Sequence, residues 1–260
     1  MKQKPSISVI MPALNEEESV GAAIAGTLSV FDECGLDGEI VVINDGSTDG
    51  TPGLVKNKME ADKRVAVINH ERPMGIGASF WDGVDSAKGE LITMLPGDNE
   101  NDPFETLRYA GLLENVDIVI PFAFNKNVRS FARNVISSLY LSIINLTFGT
   151  SFHYTNSTLI YRKSVLKRLK HRDSSFFFQT DILIKLVKAG YLFDEVPYFL
   201  QARRGGASKA VTFSSFLKVA RGYLGLVKSV YFSGENGAAA SDFAEDSMSR
   251  KRHQASGVHL

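Results

Sequence analysis

Cysteine is almost missing from this chain. Cys34 stands alone, which excludes an internal disulfide and a cysteine-based zinc cluster. Net charge is missing too. The 29 basic and 29 acidic side chains balance, so no general basic field is available to hold nucleic acid. No run approaches the roughly 18 apolar residues of a membrane span. The most apolar helical stretch, Val135 to Phe148, is broken by Ser137, Ser138, Ser142 and Asn145. The start, Met1-Lys2-Gln3-Lys4-Pro5, leads into an apolar segment too short for a secretory signal. No internal repeat is found. These absences point to a cytoplasmic protein whose contact with the inner face of the cell membrane, where it occurs, is peripheral.

What remains is enough for a sizeable core: 260 residues, 44% of them hydrophobic. One domain is expected over 1–232, with a first half to about 121 and a second half from about 122. After Ser233 the composition shifts to Gly, Ala, Ser, Asp and Lys/Arg, and 233–260 reads as a disordered tail.

The organising stretch is Leu91-Ile92-Thr93-Met94-Leu95-Pro96-Gly97-Asp98-Asn99-Glu100-Asn101-Asp102-Pro103. A short apolar run reads as a buried strand, and Pro-Gly breaks it. Asp98 and Glu100 are therefore delivered at a strand's carboxyl end, where open α/β sheets bind ligands. Two hard oxygen ligands beside a substrate diphosphate suit Mg2+ or Mn2+. The competing reading is a solvated acidic turn. Asp102 reads as a helix N-cap with Pro103 at the first helical position.

Two earlier strands end the same way. Ile7 to Met11 is expected to stop at Pro12 and is followed by Ala13-Leu14-Asn15-Glu16. Glu17 and Glu18 read as acids in the first turn of the next helix. Glu39 to Ile43 delivers Asn44-Asp45-Gly46-Ser47-Thr48-Asp49-Gly50-Thr51. A third strand, Val65 to Asn69, precedes a loop with Pro73, Gly75 and Gly77. Strands alternating with helices at this spacing give βαβ units and a mostly parallel sheet flanked by helices, an α/β fold. In such a sheet Asn15, Glu16, Asp45 and Asp98 converge on one edge, which favours a site over a solvated surface.

With these motifs in place the chain resembles the family 2 inverting glycosyltransferases of GT-A fold, in the branch like dolichyl-phosphate mannosyltransferase. The resemblance covers about Ser6 to Lys209 and rests on Pro12 to Glu17, Asn44 to Thr51, Gly75-Ile76-Gly77-Ala78, the Asp98 turn and Gly205 to Lys209. It implies a nucleotide-diphospho-sugar donor held by Pro12, Ala13, Asn15, Glu16, Asp45 and Gly75, with metal and diphosphate at Asp98 and Glu100. Four departures stand out: Pro96 replaces the usual first Asp of the third turn, Glu100 its usual Gln, Asn44 the first acid of an Asp pair, and Pro73 the usual Asn.

The resemblance also implies roles in the second half. Asp181 falls where relatives place an acid near the acceptor, so Asp98 and Asp181 are the candidate catalytic residues. The competing role for Asp181 is that of a first-turn helix acid. Arg203, Arg204, Ser208 and Lys209 match a segment that contacts phosphates in the phosphate-acceptor branch. Arg129 and Arg133 are set to face the same anions or solvent. Asn156 stands where relatives carry an Asp/Gly acceptor motif. The acceptor is a polyprenyl phosphate or, alternatively, a sugar or other hydroxyl compound with Asp181 as base. A further alternative is a catalytically weak module that only binds nucleotide sugars. A nucleotidyltransferase would carry a Gly-rich basic loop after the first strand, where this chain is acidic. The helices over Phe131–Phe148 and Phe213–Tyr231 are left to the core, to a subunit interface of a homo-oligomer, or to a membrane surface, the last of these favoured by Lys218, Arg221 and Lys228.

Overall fold

Short apolar runs bounded by polar turns become strands, and amphipathic segments between them become helices. The computed structural model describes residues 6–128, 130–200, 213–232 and 243–256. In chain order it has β1 (Ile7–Ala13), α1 (Val20–Cys34), β2 (Gly38–Asn44), α2 (Thr51–Ala61), β3 (Val65–Asn69), α3 (Ile76–Ser86) and β4 (Leu91–Met94). The second half adds α4 (Pro103–Leu107), β5 (Ile118–Ala123), α5 (Phe131–Phe148), β6 (Ile160–Arg162), α6 (Lys163–Leu166), α7 (Phe178–Lys188), β7 (Phe193–Tyr198), α8 (Phe213–Phe232) and α9 (Met248–Ser256). Two 3-10 turns, Ala110–Glu114 and Lys126–Val128, flank β5.

The strands form one sheet in the order β3-β2-β1-β4-β6-β5-β7. β1 is parallel to β2 and β4, β2 to β3, and β5 to β7. Only β6 runs against its neighbours, β4 and β5. The expected α/β class with a mostly parallel sheet is therefore what forms. Because a single strand is reversed, β5 and β7 point the same way as β1. Six carboxyl ends share one edge.

Both faces of the sheet are covered, which is why its strands are apolar nearly throughout. Along β1 the side chains alternate: Ile7, Val9 and Met11 pack under α1 with Val20, Ile24 and Phe31, whereas Ile10 faces Phe80 and Val84 of α3. Full burial of such side chains stabilises by about 1.5–3 kcal/mol each relative to exposure.

One strand end lies further on than expected. β1 continues through Pro12, and β5 likewise carries Pro121 within it. The reason is the same in both. β4 pairs with β1 only as far as Ile10, and β6 pairs with β5 only at Ile118 and Val119. Each proline sits where one neighbour has already ended, so its missing N–H interrupts no ladder on that side. Asp102 caps α4 as expected, accepting from the Phe104 amide at 2.9 Å, with Pro103 first in the helix.

The C-terminal expectation needs correction over 243–256. Phe243 and Ala244 are 2% exposed, and α9 follows. The anchor is Asp117, fully buried at the start of β5. It accepts the amides of Met248 at 2.7 Å and Ser249 at 3.0 Å, and the Ser249 hydroxyl. Arg162 lies 3.5 Å from it. A polar composition concealed this attachment because one carboxylate, 131 residues upstream, supplies the cap. Removing a buried, hydrogen-bonded charge typically costs about 3–5 kcal/mol. Asp117→Ala is expected to lower stability by about that much in urea unfolding and to release the α9 amides to fast hydrogen exchange. Unchanged exchange in α9 would show that Asp117 does not hold it.

Candidate active site

The loops after β1, β2 and β4 are stitched together by their own backbones. The Ala13 carbonyl accepts the Asp45 amide at 2.9 Å, and the Pro12 carbonyl accepts the Gly97 amide at 2.9 Å. The Ser19 hydroxyl bridges the Gly97 carbonyl at 2.9 Å and a Glu16 carboxylate oxygen at 2.7 Å. Pro12, Ala13, Asn15, Glu16, Asp45 and Asp98 thus stand on one edge, as the sequence reading requires.

Asn15 is held in the left-handed region, φ 56°, and Asn99 is likewise at 54°. Only Gly and, less readily, Asn or Asp occupy that region without large cost. The Asn15 side chain makes use of the bend. Its Oδ1 accepts the Thr48 amide at 2.9 Å, while its own amide donates to the Ser47 hydroxyl at 3.0 Å. Glu17 is not in a first helical turn. Its carboxylate accepts the Gly50 amide at 2.7 Å, at the N-terminus of α2 rather than α1. Asp49 returns the link by accepting the Glu17 amide at 3.2 Å.

Asp45 is 4% exposed and fully engaged in shaping the next loop. One oxygen accepts from His70 Nδ1 and from the Met74 amide, both at 2.7 Å; the other accepts the Gly75 amide at 2.9 Å. Gly75 has φ 96° and precedes α3. Gly46, at φ 74°, passes so close to this loop that a Cβ would lie 2.7 Å from the Arg72 carbonyl carbon. At Gly77 a Cβ would lie 2.5 Å from the Ser174 carbonyl oxygen, so the segment entering α7 packs directly on the start of α3. Asn44, which replaces an acid, pairs with Asn69 at 2.9 Å.

Asp98 is half-buried and Glu100 exposed. Asp98 Oδ1 accepts the Glu100 amide at 3.0 Å, which fixes the direction of its carboxylate. Among the described residues no group of three or more His, Cys, Asp or Glu side chains gathers to hold a metal. The donor set of this turn, two hard carboxylates, fits a Mg2+ or Mn2+ ion that takes its other ligands from phosphate and water.

Asp181 lies in the first turn of α7, 4% exposed. Lys185 Nζ bonds it at 2.8 Å and also donates to the His171 carbonyl at 3.2 Å. Burial pushes the Asp181 carboxyl up, and the Lys185 ammonium partly offsets this. Arg133 is exposed in the first turn of α5. Arg129, Arg203, Arg204, Ser208 and Lys209 lie outside the described residues. Sequence reading overlooked Ser19, Ser47, His70 and Asp82 as members of the rim; a histidine directly after a strand that pairs with the Asp45 strand was the available signal.

This geometry agrees with what the chain is similar to. Residues 8–170 match the profile of Glycosyl transferase family 2, more than half the chain. The chain belongs to that family. It is 29% identical over 174 residues to the dodecaprenyl-phosphate galacturonate synthase of Rhizobium johnstonii, covering 65% of this chain and 51% of that protein. It is 28% identical over 243 residues to an uncharacterized glycosyltransferase of Haemophilus influenzae, covering 88% and 93%. The chain thus spans about half the length of the polyprenyl-phosphate enzyme and nearly all of the Haemophilus protein. Glucosyl-3-phosphoglycerate synthase of Mycobacterium tuberculosis, solved with UDP, shares the fold at a TM-score of 0.64 and 19% identity, covering 86% of this chain and 79% of that one.

The bend at Asn15 generates a prediction. Asn15→Gly keeps the backbone conformation and loses only the Thr48 bond, whereas Asn15→Ala loses both. The Ala variant is expected to be less stable than the Gly variant by about 1 kcal/mol in urea unfolding. Equal stabilities would mean that the left-handed bend carries no strain.

Proposed function

We propose that this protein transfers a sugar, with inversion, from a nucleotide-diphospho-sugar to the phosphate of a membrane-held polyprenyl lipid. The observation that carries the reading is the single rim formed by Asn15, Asp45, Gly75 and Asp98 in the loops after β1, β2, β3 and β4, backed by family membership. The nucleoside lies against the Pro12 to Glu16 loop and the Asp45–Gly75 wall. The diphosphate lies at the Asp98 turn. There Asp98 and Glu100 hold the divalent cation, which when bound offsets charge building on the leaving diphosphate. Of the four departures from the family pattern, the Glu100 replacement restores one carboxylate near Asp98 where Pro96 removes another. Arg203, Arg204, Ser208, Lys209 and Arg133 are assigned to the phosphates of donor and acceptor, where Arg is suited to two-pronged contacts.

A phosphate acceptor is ionised already and needs no general base. Asp181, buried and bonded to Lys185, accords with that better than with a base waiting for a hydroxyl. Through Lys185, which also donates to the His171 carbonyl, it ties the first turn of α7 to the segment before it.

The acceptor's membrane is met by α5 and α8. Among the described residues no helix is long and apolar enough to cross a membrane. Yet α5 turns Phe131, Val135, Leu139, Ile143 and Leu146 outward along one stripe, with Phe131 84% and Leu146 85% exposed. α8 places Leu217, Leu224 and Tyr231 a heptad apart on its outer side and interleaves Arg221 and Lys228. α8 carries no acid. An apolar stripe with basic neighbours suits an anionic lipid surface.

Transfer of radiolabelled sugar from UDP- or GDP-sugars to polyprenyl phosphate, with Mg2+ or Mn2+, tests the reading. Asp181→Asn is expected to keep most of the activity, because a general base contributes about 100- to 10,000-fold and none is used. A loss of that size, with transfer to hydroxyl acceptors instead, would establish the alternative with Asp181 as base. Leu139→Glu with Leu146→Glu is expected to abolish sedimentation with anionic vesicles while donor binding persists. Persistent sedimentation would remove the membrane assignment.

A further inference from the structure

His70 stands at the end of β3 with both ring nitrogens facing carboxylates. Nδ1 is 2.7 Å from Asp45 Oδ1, and Nε2 is 3.0 Å from Asp82 Oδ2 on α3. Its side chain is 10% exposed, that of Asp45 6% and that of Asp82 51%. The His70 amide also donates to the Asn44 carbonyl at 2.9 Å.

We infer that His70 is a positioning residue for the donor site, a strut that ties Asp45 at the end of β2 to Asp82 on α3 and so sets the wall from Met74 to Gly75. The inference rests on the donor reading proposed above for that wall. An ionised carboxylate only accepts, and a neutral imidazole carries a single N–H. A neutral ring can satisfy Asp45 or Asp82, and its other nitrogen then turns a lone pair toward a carboxylate oxygen. With both nitrogens protonated, both contacts become charge-assisted bonds.

The charged groups around the ring come from three elements. From β2 comes Asp45 and from α3 comes Asp82, both negative. β3 carries no charged residue in Val65–Asn69. Asp85, further along α3, is paired with Arg172 at 2.7 Å. Glu71 and Arg72 follow His70 on its own loop and are exposed.

Asp45 also bonds the Met74 and Gly75 amides, so it remains anchored if the tie to Asp82 is cut. Asp82 is the exposed partner. Without it the ring loses its tie to α3, and the wall that meets the nucleoside loosens. Donor affinity therefore falls when the His70–Asp82 bond is removed. The chemical step is untouched, because His70 contacts no reacting atom.

Two measurements on the full chain test this separately. Nitrogen-15 histidine spectra, with the His70 signals assigned by their loss in His70→Gln, are expected to show the Nε2 signal shifted in Asp82→Ala while Nδ1 stays in place. An Nε2 signal unmoved by Asp82→Ala would overturn the strut whatever the donor chemistry. The second measurement titrates UDP or GDP with Mg2+ by calorimetry. Affinity is expected to drop about tenfold in Asp82→Ala, the equivalent of about 1.4 kcal/mol, and sugar-transfer assays are expected to place the change in donor KM and leave kcat alone. Equal affinities for wild type and Asp82→Ala would overturn the inference. If UDP and GDP both fail to bind the wild type, the donor reading falls, and the ring spectra still decide the strut.

Discussion

The parallel pairing of β1 with β2 on one side and β4 on the other is the constraint everything else depends on. It forces three chain segments, separated by dozens of residues, to leave the sheet side by side. Their turns must then satisfy backbone groups that no ladder reaches. The chain does this by cross-bonding the turns: Asp45 amide to Ala13, Gly97 amide to Pro12, Ser19 to Gly97. The same bonds that complete the fold shape the pocket rim. Fold stability and the geometry of this rim are therefore one problem.

Asp45 shows how closely the two are joined. A nearly buried carboxylate must be hydrogen-bonded or it destabilises the fold. Here it receives three protons from one loop, two of them from consecutive amides at the start of α3. The loop carries positive-φ Gly75 and passes over Gly46, where no Cβ fits. Small residues at these points are what allow the wall to stand so near the Asp45 turn. The second half of the chain contributes differently. The segment entering α7 rests on Gly77, and α5 and α8 each turn apolar side chains outward. In the proposed reading, donor binding falls to the first half and acceptor presentation to the second.

Much of the fold was legible beforehand. Buried parallel strands read as continuous apolar runs, and Ile7–Met11, Ile40–Ile43 and Leu91–Met94 announced themselves in that way. Local signals also served at Asp102-Pro103. Legibility failed where the deciding partner was remote. Pro12 looked like a strand end because sequence does not show that the neighbouring strand stops first. Glu17 looked like a cap for the helix after it, whereas its target is the amide of Gly50 across the sheet edge. The polar composition of 243–256 gave no hint that Asp117 would cap α9. For the site, the acids at strand ends were readable because topology alone brings them together. The His70 bridge was not, because it depends on side-chain direction at two points outside the motifs.

The most direct test of the central claim is a backbone-amide shift map on adding a UDP- or GDP-sugar with Mg2+. The account predicts that the perturbed amides cluster at Ala13 to Glu16, Asp45 to Ser47, Met74 to Gly77 and Gly97 to Glu100. A cluster at the opposite edge, around Asp117 and α9, or shifts scattered without focus, would contradict it.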